Sequence, residues 1–246
     1  MYKLLYLSFG ITYHNEDDIF KSLSEKYSLF CGGFYMELFE TMIHHSSVRS
    51  FTDQSITPVI EEHLLLAAQS ASSSNFLQAF SLVKITDPTK RKKIETIARF
   101  PIDNGTKGNL YLFVADLNKH AQVLAQEQQS DQHLRSMESL VVSIVDTAIA
   151  AQSMAVYAES IDLGICYVGG IRNDLFAIKD LLELPELTYP LFGMFIGHPA
   201  KKNEVKPRLP LDSILKTDTY HSLTSEMISR YDQQTADYYQ SRTSNT

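Results

Sequence analysis

Apolar positions along this chain change their period several times, and each change marks an element. In Met36–Ile43 the residues Leu38, Met42 and Ile43 recur at helical spacing, and the polar cluster His44-His45-Ser46-Ser47 ends the pattern. A second helix is expected after Ile56: Thr57 suits the N-cap, Pro58 the first helical position, and Leu64, Leu65, Ala67 and Ala68 follow. The small polar run from Ser70 to Asn75 closes it. Phe80 to Thr86 alternates as a strand, Asp87-Pro88 opens a basic helix, and Leu110 to Ala115 is an unbroken apolar run expected to be a buried strand. Between them, Phe100 to Asn109 carries Pro101, Gly105 and Gly108 and reads as a loop, while Gln122 to His133 reads as polar and exposed.

The longest apolar stretch runs from Leu140 to Ile161. It carries Asp146, Gln152 and Glu159, and a charge near the centre of a membrane helix is costly. A helix apolar on most faces has neighbours on most faces, so it is expected to be a core helix or one shared with a second subunit. Asp146 reads as structural. Ile165 to Val168 is a third strand, ended by Gly169-Gly170; Asn173 to Leu182 is a helix; Leu191 to Gly197 is a fourth strand. Residues 224–240 form a final amphipathic helix. The alternation implies an α+β or α/β chain with helix in the majority. Residues 1–35 differ in character: a strand-like start from Leu4 to Phe9, an acidic patch, a weak helix and a Gly32-Gly33 break.

Composition narrows the function classes. The chain has 246 residues, 44% hydrophobic, and a net charge of −7, which suits a globular protein and argues against general nucleic-acid binding. Cys31 and Cys166 have no partner spacing, so they read as free thiols in a reducing cytosol. No P-loop, HExxH, GxSxG or three-glycine dinucleotide fingerprint is present.

Four clusters could carry chemistry. His45-Ser46-Ser47-Val48-Arg49 places an imidazole, hydroxyls and a guanidinium where the chain turns, which suits a phosphate; a solvated loop fits it too. Lys206-Pro207-Arg208 holds two cations on a stiff backbone and can grip an anion or simply be surface charge. Ser72-Ser73-Ser74-Asn75 offers hydroxyls and free backbone amides to a polar ring edge, or is a plain loop. Gly169-Gly170, after a strand and before a helix, lets a flat ligand approach the backbone.

In this order, with Phe76-Leu77-Gln78 after the serines and Tyr167-Val168 before the glycines, the clusters resemble the flavin-dependent nitroreductase superfamily, and more narrowly its oxygen-insensitive NADPH nitroreductase and flavin reductase group. The resemblance covers about Met36 to Asn245, leaving residues 1–35 as an N-terminal extension. It implies an α+β fold with a central mixed sheet wrapped by helices, in a cytoplasmic homodimer with one FMN per subunit at the interface. It implies His45, Ser46, Ser47 and Arg49 around the FMN phosphate and ribityl, and Ser72, Ser73, Ser74 and Gln78 meeting the flavin, with Ser73 reaching over from the other subunit. Tyr167, Val168, Gly169 and Gly170 would lie along the isoalloxazine, Lys206 and Arg208 would bind phosphate and the pyrimidine edge, and Arg242 would hold NADPH.

The implied activity is ping-pong hydride transfer from NADPH through FMN to a nitroaromatic, quinone or flavin acceptor, with no metal, membrane or nucleic-acid partner. Three departures favour an alternative, a flavin-binding chain with impaired turnover. Ser46 stands where the family commonly has Arg, Phe100 where a Gln usually meets the flavin, and the chain ends at Thr246, before the length of the C-terminal arm in relatives.

Overall fold

The structure, a computed structural model, describes residues 34–100 and 107–241. Residues 1–33, with Cys31 and the expected first strand, lie outside the described residues, as does Arg242. The chain divides into two compact units, Met1–Lys201 and Lys202–Thr246.

In the first unit, helix α1 (Phe34–Ile43) is followed by α2 (Pro58–Gln69), whose N-cap Thr57 accepts a hydrogen bond from the Ile60 amide at 3.3 Å. Strand β1 (Phe80–Ile85) leads into α3 (Pro88–Ala98), capped by the Asp87 carboxylate on the Thr89 and Lys90 amides. Strand β2 (Asn109–Asp116) precedes α4 (Asn118–Gln126), and α5 (Met137–Ser160) leads to β3 (Gly164–Val168). A 3-10 turn (Gly169–Asp174) and α6 (Leu175–Leu181) then lead to β4 (Thr188–Gly197). Helix α4 lies where the sequence read as a polar exposed segment. Its short apolar edge, Ala121 and Leu124, packs with Ala79, Leu117 and Leu134 in a small separate cluster.

The sheet has the order β1-β2-β4-β3. Every neighbouring pair among the described residues is antiparallel, so the mixed sheet implied by the resemblance is not what they form. A parallel neighbour needs a crossover to the far end of the sheet. Here the chain after α3 returns to the end it left, and the turn and α6 do the same between β3 and β4. Strand β2 is covered on both faces, which is why it reads as a continuous apolar run. Tyr111 and Phe113 pack toward α2 and α5, while Leu110 and Leu112 pack toward α3 and α6. Each fully buried side chain of this size contributes about 1.5–3 kcal/mol. Pro190 is tolerated in β4 because a bulge opens opposite Phe113/Val114, and the Leu191 carbonyl accepts from the Arg172 guanidinium.

Helix α5 is long and apolar enough to cross a membrane by length and composition. Its packing decides otherwise: Ala150, Ala151, Met154, Ala155 and Ala158 are buried against α2 and the sheet. Asp146, 1% exposed, is structural as the sequence suggested. Its two oxygens accept the Ser74 amide at 2.9 Å and the Ala79 amide at 3.1 Å, satisfying the loop that follows α2. The opposite face of α5 is apolar yet exposed at Val141, Val145 and Ile149.

The second unit carries α7 (Leu211–Ile214) and α8 (Ser225–Ser241). Arg230 and Asp212 pair within it at 2.9 Å, and no residue in its two helices is buried.

Replacing Asp146 with Ala leaves two inward-facing amides without an acceptor and is expected to cost about 3 kcal/mol. Urea unfolding followed by circular dichroism checks this as a lower midpoint at unchanged slope. A second, partly exposed network ties α2 to the sheet: Tyr111 donates to Glu61 at 2.6 Å and Lys84 donates to it at 2.7 Å. Burial is the largest single influence on Glu61 and raises its pKa, but the hydrogen bonds from Lys84 and Tyr111 together outweigh it, so the carboxyl lies below the usual range. A depressed carboxyl stabilises the fold above its unfolded pKa and loses that contribution as pH falls through the folded value. Between about pH 5 and pH 3 the native chain should therefore lose stability more steeply than Glu61→Gln, in urea midpoints measured across that range.

Candidate functional site

The segment after α1 is stitched onto β3, an edge strand of the sheet. The Val48 amide donates to the Ile165 carbonyl at 2.8 Å, and the buried Val48 side chain sits over Gly164. A Cβ on Gly164 would stand 2.6 Å from a Val48 methyl, so the glycine is what lets the segment approach this closely. Further on, the Thr52 amide donates to the His198 carbonyl and the Ala200 amide to the Ser50 carbonyl. With Val48 turned inward, its neighbour Arg49 is exposed, and among the described residues its guanidinium has no ion pair or hydrogen bond. Arg49 lies near enough to Cys166 to pull that thiol's pKa down, but burial of the thiol outweighs it and the net shift is upward.

His45 and Ser47 are half-buried at the start of the same segment, with Ser46 between them. The His45 Nδ1 lies 2.6 Å from Glu159 Oε1, in the last turn of α5. Further along β3, Tyr167 is half-buried, edge-on to Phe192 at 5.3 Å, and its hydroxyl donates to Gln152 at 3.3 Å. Burial first, and the Glu159 charge second, push the Tyr167 hydroxyl up to about 12. Val168, the next residue of β3, is buried in the cluster on the other face of the sheet. Gly169 and Gly170 have structural reasons of their own. A Cβ on Gly170 would meet the Ala98 carbonyl oxygen at 2.1 Å, and one on Gly169 would lie 3.0 Å from the Arg172 guanidinium. Arg172 thus stands beside the glycines that the sequence picked out.

Ser72, Ser73, Ser74 and Gln78 form a second group, at the entrance to β1. The turn holds Asn75, Phe76 and Gln78 at φ values of 47°, 61° and 52°, left-handed backbone that costs about 1–3 kcal/mol per residue in a non-glycine. The bonds from Ser74 and Ala79 to Asp146 hold it in place. The serine hydroxyls have no partner among the described residues. Gln78 lines a cleft of about 360 Å³ with Leu65, Gln69, Phe80 and Lys119. A groove of about 930 Å³ between α3 and α6 contains none of the residues singled out from the sequence.

The two groups stand at opposite edges of the sheet. Three strand spacings separate β1 from β3, about 14 Å. Their anchors on α5, Asp146 and Glu159, lie about 20 Å apart along the helix axis at 1.5 Å per residue. One chain brings His45, Ser47 and Arg49 alongside Tyr167–Gly170, but does not bring Ser72–Ser74 to them. Phe100 is stacked on Phe195 at 4.9 Å in the core.

A profile of the nitroreductase family matches residues 43–198, and one of the family's C-terminal domain matches residues 206–246. The chain belongs to the nitroreductase family. This member is 38% identical, over 208 residues, to the FMN reductase (NADPH) of Bacillus subtilis, covering 83% of this chain and 84% of that one. It is 39% identical over 212 residues to the oxygen-insensitive NADPH nitroreductase of Salmonella typhimurium, covering 84% of both. Among solved structures, the NfrA1 nitroreductase of B. subtilis superposes with a TM-score of 0.79 at 38% identity, over 84% of this chain and 85% of that one. The NADPH:FMN oxidoreductase of Vibrio harveyi complexed with NAD+ gives 0.75 at 33% identity, over 83% and 86%.

In this nitroreductase-family chain, Lys206 and Arg208 open the C-terminal match, both exposed and both without a partner among the described residues. Sequence reading missed Glu159 and Arg172 as neighbours of the site. Glu159 left one signal, an acidic residue in the last turn of an apolar helix, where the dipole disfavours it.

Gly170→Ala is expected to destabilise the first unit by about 2 kcal/mol or more, because the new methyl meets a backbone carbonyl. Gly169→Ala faces the end of a flexible side chain and should cost clearly less. Thermal midpoints of the two variants, measured side by side, check the order.

Proposed function

We propose that this chain is an FMN-dependent NADPH oxidoreductase of the nitroreductase or flavin reductase type. The observation that carries the reading is the His45–Arg49 segment bonded to β3 ahead of Tyr167–Gly170, in a chain 38% identical to an NADPH-dependent FMN reductase. The donor set fits FMN. An imidazole, hydroxyls and an unpaired guanidinium suit a phosphate, and a half-buried tyrosine followed by two glycines suits a flat ring. When bound, FMN supplies hydride acceptance and donation, which no side chain here provides.

The chain's own residues then have binding and electrostatic tasks. His45, Ser47 and Arg49 hold the phosphate and ribityl, with Ser46 beside them. Tyr167, Val168, Gly169 and Gly170 line one side of the ring. Lys206 and Arg208 would supply positive charge for the phosphate and the pyrimidine edge, where it would favour the reduced flavin. Arg242 contributes to NADPH binding. NADPH and the acceptor, a nitroaromatic, quinone or flavin, would bind in turn, in a ping-pong cycle.

The working unit in this reading is a cytoplasmic homodimer. Val141, Val145 and Ile149 on α5, with Leu38, Met42 and Ile43 on α1, expose an apolar surface that a second copy would cover. A second copy would also supply Ser72–Ser74 and Gln78 to the site, which the width of the sheet keeps away from His45 within one chain.

A second reading is favoured by Phe100. Its ring is committed to the core, so it offers no polar group to the flavin, and Ser46 removes a cation. In that reading the chain binds FMN with impaired turnover.

The deciding experiment follows NADPH oxidation with a nitroaromatic or quinone acceptor, with and without added FMN. Acceptor-dependent oxidation that needs FMN is expected. Bound FMN that NADPH cannot reduce selects the second reading, and a chain that takes up no FMN sinks both. Arg49→Ala, Lys206→Ala and Arg208→Ala should each weaken FMN retention about 10- to 100-fold, the size of a lost charged hydrogen bond. Lys90→Ala should leave it unchanged. Fluorescence titration checks all four.

A further inference from the structure

Glu159 occupies a position with two electrostatic costs. It lies in the last turn of α5, where unpaired carbonyls give the helix end partial negative charge, and its side chain is only 14% exposed. A carboxylate placed there needs a compensating partner, and His45 Nδ1 at 2.6 Å supplies it. Glu159 also faces Tyr167 closely enough for its charge to act on that hydroxyl. It therefore stands between the loop that carries His45 and the strand that carries Tyr167.

The two nitrogens of an imidazole point away from each other. A ring tied at Nδ1 presents Nε2 on the opposite side, and the bond at one nitrogen settles what the other can offer. Among the described residues, Nε2 of His45 has no partner. A ring held in place before a ligand arrives loses less rotamer freedom on binding than a free one.

We propose that Glu159 is a positioning residue of the cofactor site: its carboxylate accepts from Nδ1–H of the His45 imidazolium and holds the ring so that Nε2–H is presented as a donor to the FMN phosphate. This rests on the reading of His45 as a phosphate ligand.

The test uses the full chain stripped of flavin, titrated separately with FMN and with riboflavin, which lacks the phosphate, and read by flavin fluorescence. His45→Ala is expected to weaken FMN about tenfold, and Glu159→Ala about three- to tenfold. Riboflavin affinity should stay within about twofold in both. The double variant should bind FMN no more weakly than His45→Ala alone, since Glu159 acts through the ring. Glu159→Gln can donate its amide to Nδ1, which leaves Nε2–H as the donor on a neutral ring, and should recover most of the affinity. Should Glu159→Ala not fold, Glu159→Asp retracts the carboxylate by one methylene and is read in the same way. FMN affinity unchanged in the Glu159 variants but weakened in His45→Ala overturns the inference alone. Equal losses for FMN and riboflavin overturn it as well, since they mark a general structural role. No effect of His45→Ala on FMN removes the phosphate reading, and the inference with it.

Discussion

Two carboxylates on the helix Met137–Ser160 set where the candidate chemistry can be. A buried carboxylate is costly unless its oxygens are engaged. Asp146 meets that requirement with the Ser74 and Ala79 amides, which fixes the serine turn and the entry to β1. Glu159 meets it with His45, which fixes the loop after α1. The helix is held by alanines and Met154 packed on the sheet, so both anchor points inherit the rigidity of the core. The strained backbone at Asn75, Phe76 and Gln78 persists because its neighbours are bonded from below.

The distance between those anchors has a functional consequence. One flavin could not be met by both groups of a single chain on a sheet whose edges they occupy separately. The same helix exposes Val141, Val145 and Ile149. An apolar stripe on a core helix and a divided set of polar ligands have a common solution in the proposed homodimer.

Elements fixed by local chemistry were legible in the sequence. Thr57-Pro58 and Asp87-Pro88 cap helices where they were expected, and the apolar run at Leu110 is the doubly covered strand. Helix α4 was not legible, because its apolar edge is short and gains meaning only against Ala79 and Leu134, which are remote in sequence. Strand direction was not legible either, since nothing local says at which end of the sheet a helical connection returns. The site divided in the same way. The His45–Arg49 cluster and Gly169-Gly170 could be singled out by residue type, and Tyr167-Val168 by the resemblance. That Gly170 faces the Ala98 carbonyl, and that Phe100 stacks on Phe195, are tertiary facts with no signature along the chain. Glu159 shows the limit most clearly, because a carboxylate near a helix end becomes informative only when its partner is known.

Charge then limits how the proposed site can work with Ser46 in place of a cation. A phosphate monoester carries about −1.5 to −2 near neutral pH. In a chain of net charge −7, several described cations are committed: Lys84 to Glu61, Lys107 to Asp53, Arg135 to Asp131 and Glu186, Arg230 to Asp212. Among the described residues, Arg49, Lys206 and Arg208 are not. In the proposed site Arg49 would serve the phosphate, and Lys206 and Arg208 would serve both the phosphate and the pyrimidine edge. In that reading Lys206 and Arg208 bear on both cofactor retention and ease of flavin reduction, so altering either would change the two together.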